Sequence, residues 1–169
     1  MTPPPNRVIV TDANVLINLV HVRRLDLCGS LPGHEFVIPD HVSVEVSRAP
    51  HRAVLDDAIA RRVIRVEVIT DLAAVGLFTD LTTHIGRGEA ACLALANERG
   101  WSVASDEKRR FRREAERLIG SDRILGTADL FVLAIRGGLL SLEEADADKA
   151  LLEQHRFKMS FASFRDVMR

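Results

Sequence analysis

Short apolar runs alternate with segments of helical periodicity along most of this chain. The first run, Val8-Ile9-Val10, has no polar alternation, which is typical of a strand buried on both faces of a parallel sheet. Apolar residues at helical spacing follow at once, beginning with Val15 and Leu16. Repeated strand-then-helix units of this kind predict an α/β fold with helices packed on a mostly parallel sheet.

The same patterns set the expected boundaries of the other elements. Further strands are predicted at residues 35–39, 63–69, 101–105 and 123–126. Helices are predicted at 15–20, 23–31, 51–62, 71–85, 89–99, 107–119, 128–136, 141–155 and 161–168, with a loop at 86–88.

One segment, residues 41–48, has a mixed pattern. Its valines alternate with polar residues as in a strand, but the preceding Pro39-Asp40 pair is typical of a helix start, and we interpret it as a helix. The whole chain then predicts a single domain over residues 7–169, preceded by a flexible lead-in at 1–6. Its centre is a sheet of about four to five short strands flanked by helices.

Composition excludes several classes of protein. The 169 residues are 47% hydrophobic and 28% charged, as in an ordinary globular domain, and no apolar run is long enough for a membrane span. The start of the chain lacks the features of a signal peptide. Cys28 and Cys92 match no metal-binding spacing, so we expect a reducing, cytoplasmic location. A net charge of −1 means that any polyanion must bind to a local patch.

Acidic residues occur where predicted strands end and where helices begin. Asp12 and Asp106 each follow an apolar strand, and Glu45 and Glu89 lie near the starts of two helices. The carboxyl ends of parallel strands share one edge of the sheet, so these acids can converge there, although Asp12 alone is equally well explained as a helix cap. Clustered carboxylates must bind protons or a cation. Oxygen-only sites suit Mg²⁺ or Mn²⁺, which indicates phosphoryl chemistry.

A basic run follows Asp106 directly. It comprises Lys108, Arg109, Arg110, Arg112 and Arg113, with Arg117 one turn further on. Taken alone, the run is better explained as a solvated helix face paired with Glu114 and Glu116. Beside an acidic pocket, the same residues become a candidate track for a phosphate backbone.

The four acids stand in segments that resemble the signatures of a known family. These segments are VIVTDANVLIN, VIPDHVSVEVSR, GRGEAACLALANERG and WSVASDEKRRFRREAERL. They resemble the acidic motifs of PIN-domain proteins, small metal-dependent ribonucleases that include the VapC-like toxins. The tail segments ILGTADLFVLAIRGGLLS and ALLEQHRFKMSFASFRDVMR are similar to the C-terminal helices of one PIN subgroup. The resemblance runs from about Arg7 to Arg169.

The resemblance implies roles for particular residues. Asp12, Glu45, Glu89 and Asp106 would be the catalytic ligands of Mg²⁺ or Mn²⁺, which also places Glu45 on a helix. Asn14 would steady this site, and Glu107 would substitute for or supplement Asp106. Asp129 matches no motif acid and is interpreted as an ordinary first-turn acid.

The resemblance also implies an activity and partners. The protein would cleave RNA and leave a 5′-phosphate and a 3′-hydroxyl. The toxin branch implies a small antitoxin that covers the acidic groove, and a homodimer built from helices. Two alternatives stay open: a catalytically silent PIN fold that serves as an interaction protein, and a non-nuclease acidic-pocket module such as a receiver or a small phosphatase.

Overall fold

Five parallel strands form the centre of the molecule. In the computed structural model, which describes residues 6–169, the sheet order is β3-β2-β1-β4-β5. The strands are β1 (Arg7–Thr11), β2 (His34–Pro39), β3 (Arg65–Glu67), β4 (Ser102–Ala104) and β5 (Ile124–Leu125). All four neighbouring pairs are parallel, which confirms the predicted α/β class. The predicted lead-in at 1–6 lies outside the described residues except for Asn6.

Helices cover the sheet and connect its strands. They are α1 (Ala13–His21), α2 (Leu27–Ser30), α3 (Asp40–Glu45), α4 (Ala49–Ala60), α5 (Leu72–Leu81), α6 (Arg87–Arg99), α7 (Arg110–Ile119), α8 (Thr127–Arg136) and α9 (Leu142–Gln154). Two 3-10 turns lie at Ser121–Arg123 and Phe164–Asp166. The ambiguous segment at 41–48 is helical through Glu45, as interpreted from the sequence. No helix within residues 6–169 has the length and apolar character needed to cross a bilayer.

Several predicted boundaries are wrong for identifiable reasons. The predicted helix at 23–31 is reduced to α2, since Arg23 takes a left-handed φ of 57° that ends α1. The predicted loop at 86–88 is in fact the N-cap and first turn of α6. The predicted helix at 107–119 begins only at Arg110, because Arg109 has non-helical angles of φ 52° and ψ −108°.

Two further elements are shorter than predicted. The strand predicted at 63–69 is limited to β3, and the helix predicted at 161–168 is a 3-10 turn. Asp146 on α9 explains the second difference, because its carboxylate accepts hydrogen bonds from the Ser163 hydroxyl (2.6 Å) and the Phe164 N–H (2.8 Å). These bonds fix a tight turn that carries Phe164 into the core.

Helix α6 is the centre of the core. Its alanines and leucines from Ala90 to Ala96 are fully buried, and the helix contacts α3, α5 and α7 as well as the sheet. Small alanine side chains allow neighbouring elements to approach closely, while Leu93 and Leu95 fill the remaining volume. This packing fixes the first turn of α6 against the carboxyl edge of the sheet.

Replacing Leu93 by Ala should therefore be strongly destabilising. Leu93 is 0% exposed, so its truncation should lower the free energy of unfolding by about 2–5 kcal/mol. Leu72→Ala is the control, because Leu72 is 86% exposed and its loss should cost about 0.5 kcal/mol or less. Denaturant unfolding of both variants measures this, and equal losses would show that α6 is not the core element described.

Candidate active site

Asp12 joins the end of the central strand to the start of α1. Its Oδ1 accepts the backbone N–H of Ala13 (2.8 Å), and its own N–H donates to the carbonyl of Ala104 on β4 (2.9 Å). The residue is 4% exposed. Asp12 is thus a helix cap, and it also lies at the sheet edge where ligands bind in parallel α/β folds.

Three other acids meet Asp12 around one groove of about 220 Å³. Glu45 comes from the end of α3, Glu89 from the first turn of α6, and Glu107 from the loop after β4. The groove is lined by Asp12, Ala13, Asn14, Ile17, Glu45, Gly86, Glu89 and Glu107. Acids from four separate chain segments therefore converge at the carboxyl edge of the sheet.

Gly88 allows α3 and α6 to meet at this groove. Its N–H donates to Oε1 of Glu45 (3.0 Å), and a Cβ at this position would lie 2.6 Å from both carboxylate oxygens. Any larger residue would push Glu45 away. The sequence signal for this contact is Gly88 itself, which directly precedes Glu89. From the sequence, the segment that contains it was interpreted only as a break between helices.

Burial in the groove opposes the ionisation of Asp12 and Glu89. Burial raises the pKa of Asp12 to about 7, and the nearby Glu89 and Glu45 add to the effect, while hydrogen bonds from Ala13 and Ser105 oppose it. Burial also raises the pKa of Glu89, with contributions from Glu107 and Glu45. A proton or a cation would relieve this repulsion.

Asp106 lies at the same edge, but other groups occupy its carboxylate. Oδ1 accepts the N–H of Thr127 (2.8 Å), and Oδ2 accepts the Asn18 amide (3.1 Å) and the Thr127 hydroxyl. Burial raises the pKa of Asp106, and these hydrogen bonds partly offset the rise. Asp106 therefore links α1 to the start of α8, whereas its neighbour Glu107 lines the groove.

Asn14 and Ser105 hold the loop that carries Glu107. The amide of Asn14 donates to Oε1 of Glu107 (3.1 Å), and its oxygen accepts the N–H of Asp106 (3.4 Å). The Ser105 hydroxyl donates to Oδ2 of Asp12 (3.2 Å) and accepts the N–H of Glu107 (3.2 Å). Asn14 was expected to steady the site. Ser105 was missed, and its signal was a small hydroxyl residue between the strand and the acids.

The basic run divides into two parts. Lys108 and Arg109 lie in the loop before α7, and Arg110 opens the helix; all three are exposed. On α7, Arg112 pairs with Glu116 (2.7 Å) and Arg117 with Glu114 (2.6 Å). Arg112 and Arg117 therefore belong to a solvated, ion-paired helix face, as the sequence predicted for the run taken alone.

Outside the groove, Asp129 lies in the first turn of α8, as expected. Its carboxylate accepts the N–H of Gly126 (2.7 Å) at the start of α8. Cys28 and Cys92 are both buried thiols that form no disulfide among the described residues. Neither cysteine lines the acidic groove.

The donor set suits a hard divalent cation, although the side chains are spread around the groove. Within residues 6–169, no three His, Cys, Asp or Glu side chains are close enough together to hold one ion. The groups nearest the groove are nevertheless all oxygen donors, and two of them carry raised pKa values because they are buried among like charges. Carboxylates of this kind are the ligands that Mg²⁺ and Mn²⁺ prefer.

Asp12→Asn should stabilise the metal-free protein at alkaline pH. The pKa of Asp12 rises from 3.8 in the unfolded chain to about 7 in the folded protein. The stability that Asp12 contributes is therefore fully present below pH 3.8, and it is lost as the pH rises through about 7. At pH 8 in EDTA the variant should be more stable than the wild type by about 2–4 kcal/mol, and the gain should shrink toward acidic pH. Asparagine remains a good helix cap.

Asp71→Asn provides the matched control for this experiment. Asp71 caps α5 through the Ala74 N–H (3.0 Å) but is exposed, so its replacement should leave the pH dependence of unfolding unchanged. If both variants respond equally to pH, burial of Asp12 is not the source of the effect.

Comparison with known families assigns the chain to one of them. Residues 8–169 match the model of the family DUF3368, which is described as a PIN domain. No curated protein and no solved structure matches the chain in sequence. The family match covers nearly the whole chain and includes every acid of the groove, so the chain belongs to the PIN-domain family.

Proposed function

We propose that this protein is a ribonuclease that hydrolyses RNA phosphodiester bonds with the help of Mg²⁺ or Mn²⁺. The PIN domain is a nuclease-type fold. The observation that carries the proposal is the groove in which Asp12, Glu45, Glu89 and Glu107 meet. A buried acid with a pKa near neutrality and like-charged neighbours favours cation binding over an empty groove.

In this proposal the ion binds among the four groove acids, whose side chains would move closer together to reach it. Glu107 takes the place first predicted for Asp106. The hydrogen bonds that occupy both oxygens of Asp106 support this exchange. So does the contact of Glu107 with Asn14 at the groove. Asp106 then acts as a positioning residue that keeps the loop after β4 against α8.

The chain's own residues would prepare the reaction. When bound, a divalent ion lowers the pKa of water and stabilises the charge that develops on the phosphate. Asp12 can exchange its proton for a cation near neutral pH, because burial raises its pKa to about 7. Ser105 keeps Asp12 and Glu107 in register. The proposed products are a 5′-phosphate and a 3′-hydroxyl.

The RNA backbone would approach along the exposed basic residues next to Glu107. Lys108, Arg109 and Arg110 offer charges that take part in no ion pair within the described residues. Arg113 lies one turn along the exposed face of α7. Arg112 already has a carboxylate partner in Glu116 and is expected to contribute less.

The toxin role, the antitoxin partner, the homodimer and the cytoplasmic location are parts of the same proposal. They come from the resemblance of the motifs and, for the location, from two unpaired cysteines. Membership of the PIN family weighs against a receiver or a phosphatase. The complete set of groove acids weighs against a silent interaction protein.

The first test is cleavage of a structured RNA mixture by the purified protein in Mg²⁺ or Mn²⁺. We expect EDTA, Asp12→Asn and Glu107→Gln each to lower cleavage by about a hundred-fold or more, as is typical when transition-state charge stabilisation is lost. Glu107 is exposed, so Glu107→Gln should fold as well as the wild type.

Asp106→Asn separates the two neighbouring acids. An amide nitrogen would oppose the Asn18 and Thr127 donors that now bond Oδ2, so this variant should lose about 1–3 kcal/mol of stability. It should keep most of its activity per folded molecule. An Asp106→Asn protein that is stable but inactive, together with an active Glu107→Gln protein, would reverse the assignment.

Arg109→Gly should raise the stability of the protein and weaken its binding to RNA. Arg109 has φ 52° and ψ −108°, a backbone conformation that costs a non-glycine residue about 1–3 kcal/mol. Glycine should recover part of that cost. It should also remove one phosphate contact, so the plot of log affinity against log salt concentration should become less steep by about one.

Arg62→Gly is the matched control for this trade-off. Arg62 also has a positive φ, of 60°, but it precedes β3 and so lies at the opposite edge of the sheet from the acids. Its replacement should leave RNA affinity unchanged. Equal RNA affinity of the two variants would remove Arg109 from the proposed RNA track.

A further inference from the structure

A second cavity, of about 280 Å³, adjoins the acidic groove. It is lined by Asp40, His41, Val44, Glu45 and Arg87. Glu45 belongs to both spaces, so a molecule bound in the groove can extend directly into the second cavity. Four of the five lining residues come from the single short helix α3, and Arg87 opens α6.

Phe78 packs against two of the residues that line this cavity, His41 and Arg87. Its ring lies 4.6 Å from the His41 ring at a tilt of 46°, and the Arg87 guanidinium carbon lies 5.6 Å from its centre. Histidine rings, phenylalanine rings and guanidinium planes are the surfaces on which unpaired RNA bases stack. The three side chains thus combine a stacking surface with a positive charge.

The remaining lining residues add an apolar contact and a hydrogen-bond acceptor. Val44 is 77% exposed although it is apolar, and it immediately precedes Glu45. Oδ1 of Asp40 accepts the backbone N–H of His41 (3.0 Å) and also lies 3.0 Å from Nδ1 of the His41 ring. Among the described residues its Oδ2 accepts no hydrogen bond, and a carboxylate oxygen of this kind can accept from the amino group of a base.

We propose that this cavity is a subsite for one unpaired RNA base next to the scissile phosphate, and that it favours bases with an exocyclic amino group. The inference rests on the proposed function and adds a determinant of sequence specificity to it. The base would stack against His41 and contact Val44, its amino group would donate to Asp40, and Arg87 would bind an adjoining phosphate. Guanine, adenine and cytosine meet this requirement, whereas uracil has no amino group.

Sequence reasoning could not find this subsite. The only aromatic residue within the basic run is Phe111, which is 2% exposed and cannot receive a base. Phe78 lies outside the acidic motifs, and the packing of α5 against α6 brings it to Arg87. His41 meets the same ring because α3 also packs against α6.

The test uses short labelled RNAs that contain only uridine except at one variable base. The wild type should cleave the guanine, adenine and cytosine versions next to the variable base about five-fold to a hundred-fold more efficiently than the uridine version, since one good polar contact to a base edge discriminates by that much. Equal cleavage of all four RNAs by the wild type would overturn the proposal.

Variants identify the residues responsible. Asp40→Asn keeps an oxygen that accepts the backbone N–H of His41. Because it removes the charged acceptor for the amino group of the base, it should reduce the base preference to less than about two-fold. Arg87→Gln should weaken cleavage of all four RNAs alike. Glu143→Gln, at an exposed first-turn acid of α9, is the control and should keep the full preference. An unchanged preference in Asp40→Asn would overturn the proposal.

Binding separates this inference from the proposed nuclease activity. Fluorescence anisotropy of the same RNAs with the Asp12→Asn protein needs no cleavage. Suppose that the Asp12→Asn protein binds the guanine, adenine and cytosine RNAs more tightly than the uridine RNA, and that adding Asp40→Asn abolishes this difference. That result would support the subsite even if the wild type cut none of the RNAs. Equal binding of all four RNAs would overturn it, whatever the outcome of the cleavage assay.

Discussion

Burial of the Asp12 carboxylate at the end of the central strand is the constraint on which the rest of the site depends. The carboxylate is held by Ala13 and Ser105 and lies beside Glu45 and Glu89. Burying a charge among like charges is costly, and this cost raises the pKa of Asp12 to about 7. The fold tolerates this cost because the same residue caps α1 and joins β1 to β4. A cation in the groove would convert the cost into binding free energy.

The two adjacent acids after β4 have different surroundings. Asp106 bonds to Thr127 and Asn18 and ties α8 to α1. Glu107, one residue later, turns to the groove and meets Asn14. Two adjacent positions therefore have different contacts, one with α1 and α8 and the other with the groove.

Much of this could be predicted from the sequence. The unalternating run at residues 8–10 predicted a strand buried on both faces, and β1 is the central strand of the sheet. Acids after strands or near helix starts predicted a carboxylate edge, and Asp12, Glu45 and Glu89 line one groove there. Glu45, however, lies at the end of the short helix α3 and not near its start. Boundaries were less predictable. Arg109 and Arg23 have positive φ angles that arginine rarely takes, so neither residue type signalled the helix boundary beside it.

The sequence by itself determined the order of strands and helices, the family, and the acidic residues of the carboxyl edge, because hydrophobic periodicity and strand-end position are local properties. Only the tertiary structure decided which acid of the pair Asp106-Glu107 enters the groove and which aromatic residue lies beside Arg87. These outcomes depend on hydrogen bonds and packing between segments far apart in the chain, such as Asn18 with Asp106 and His41 with Phe78. Local patterns contain no information about such partners.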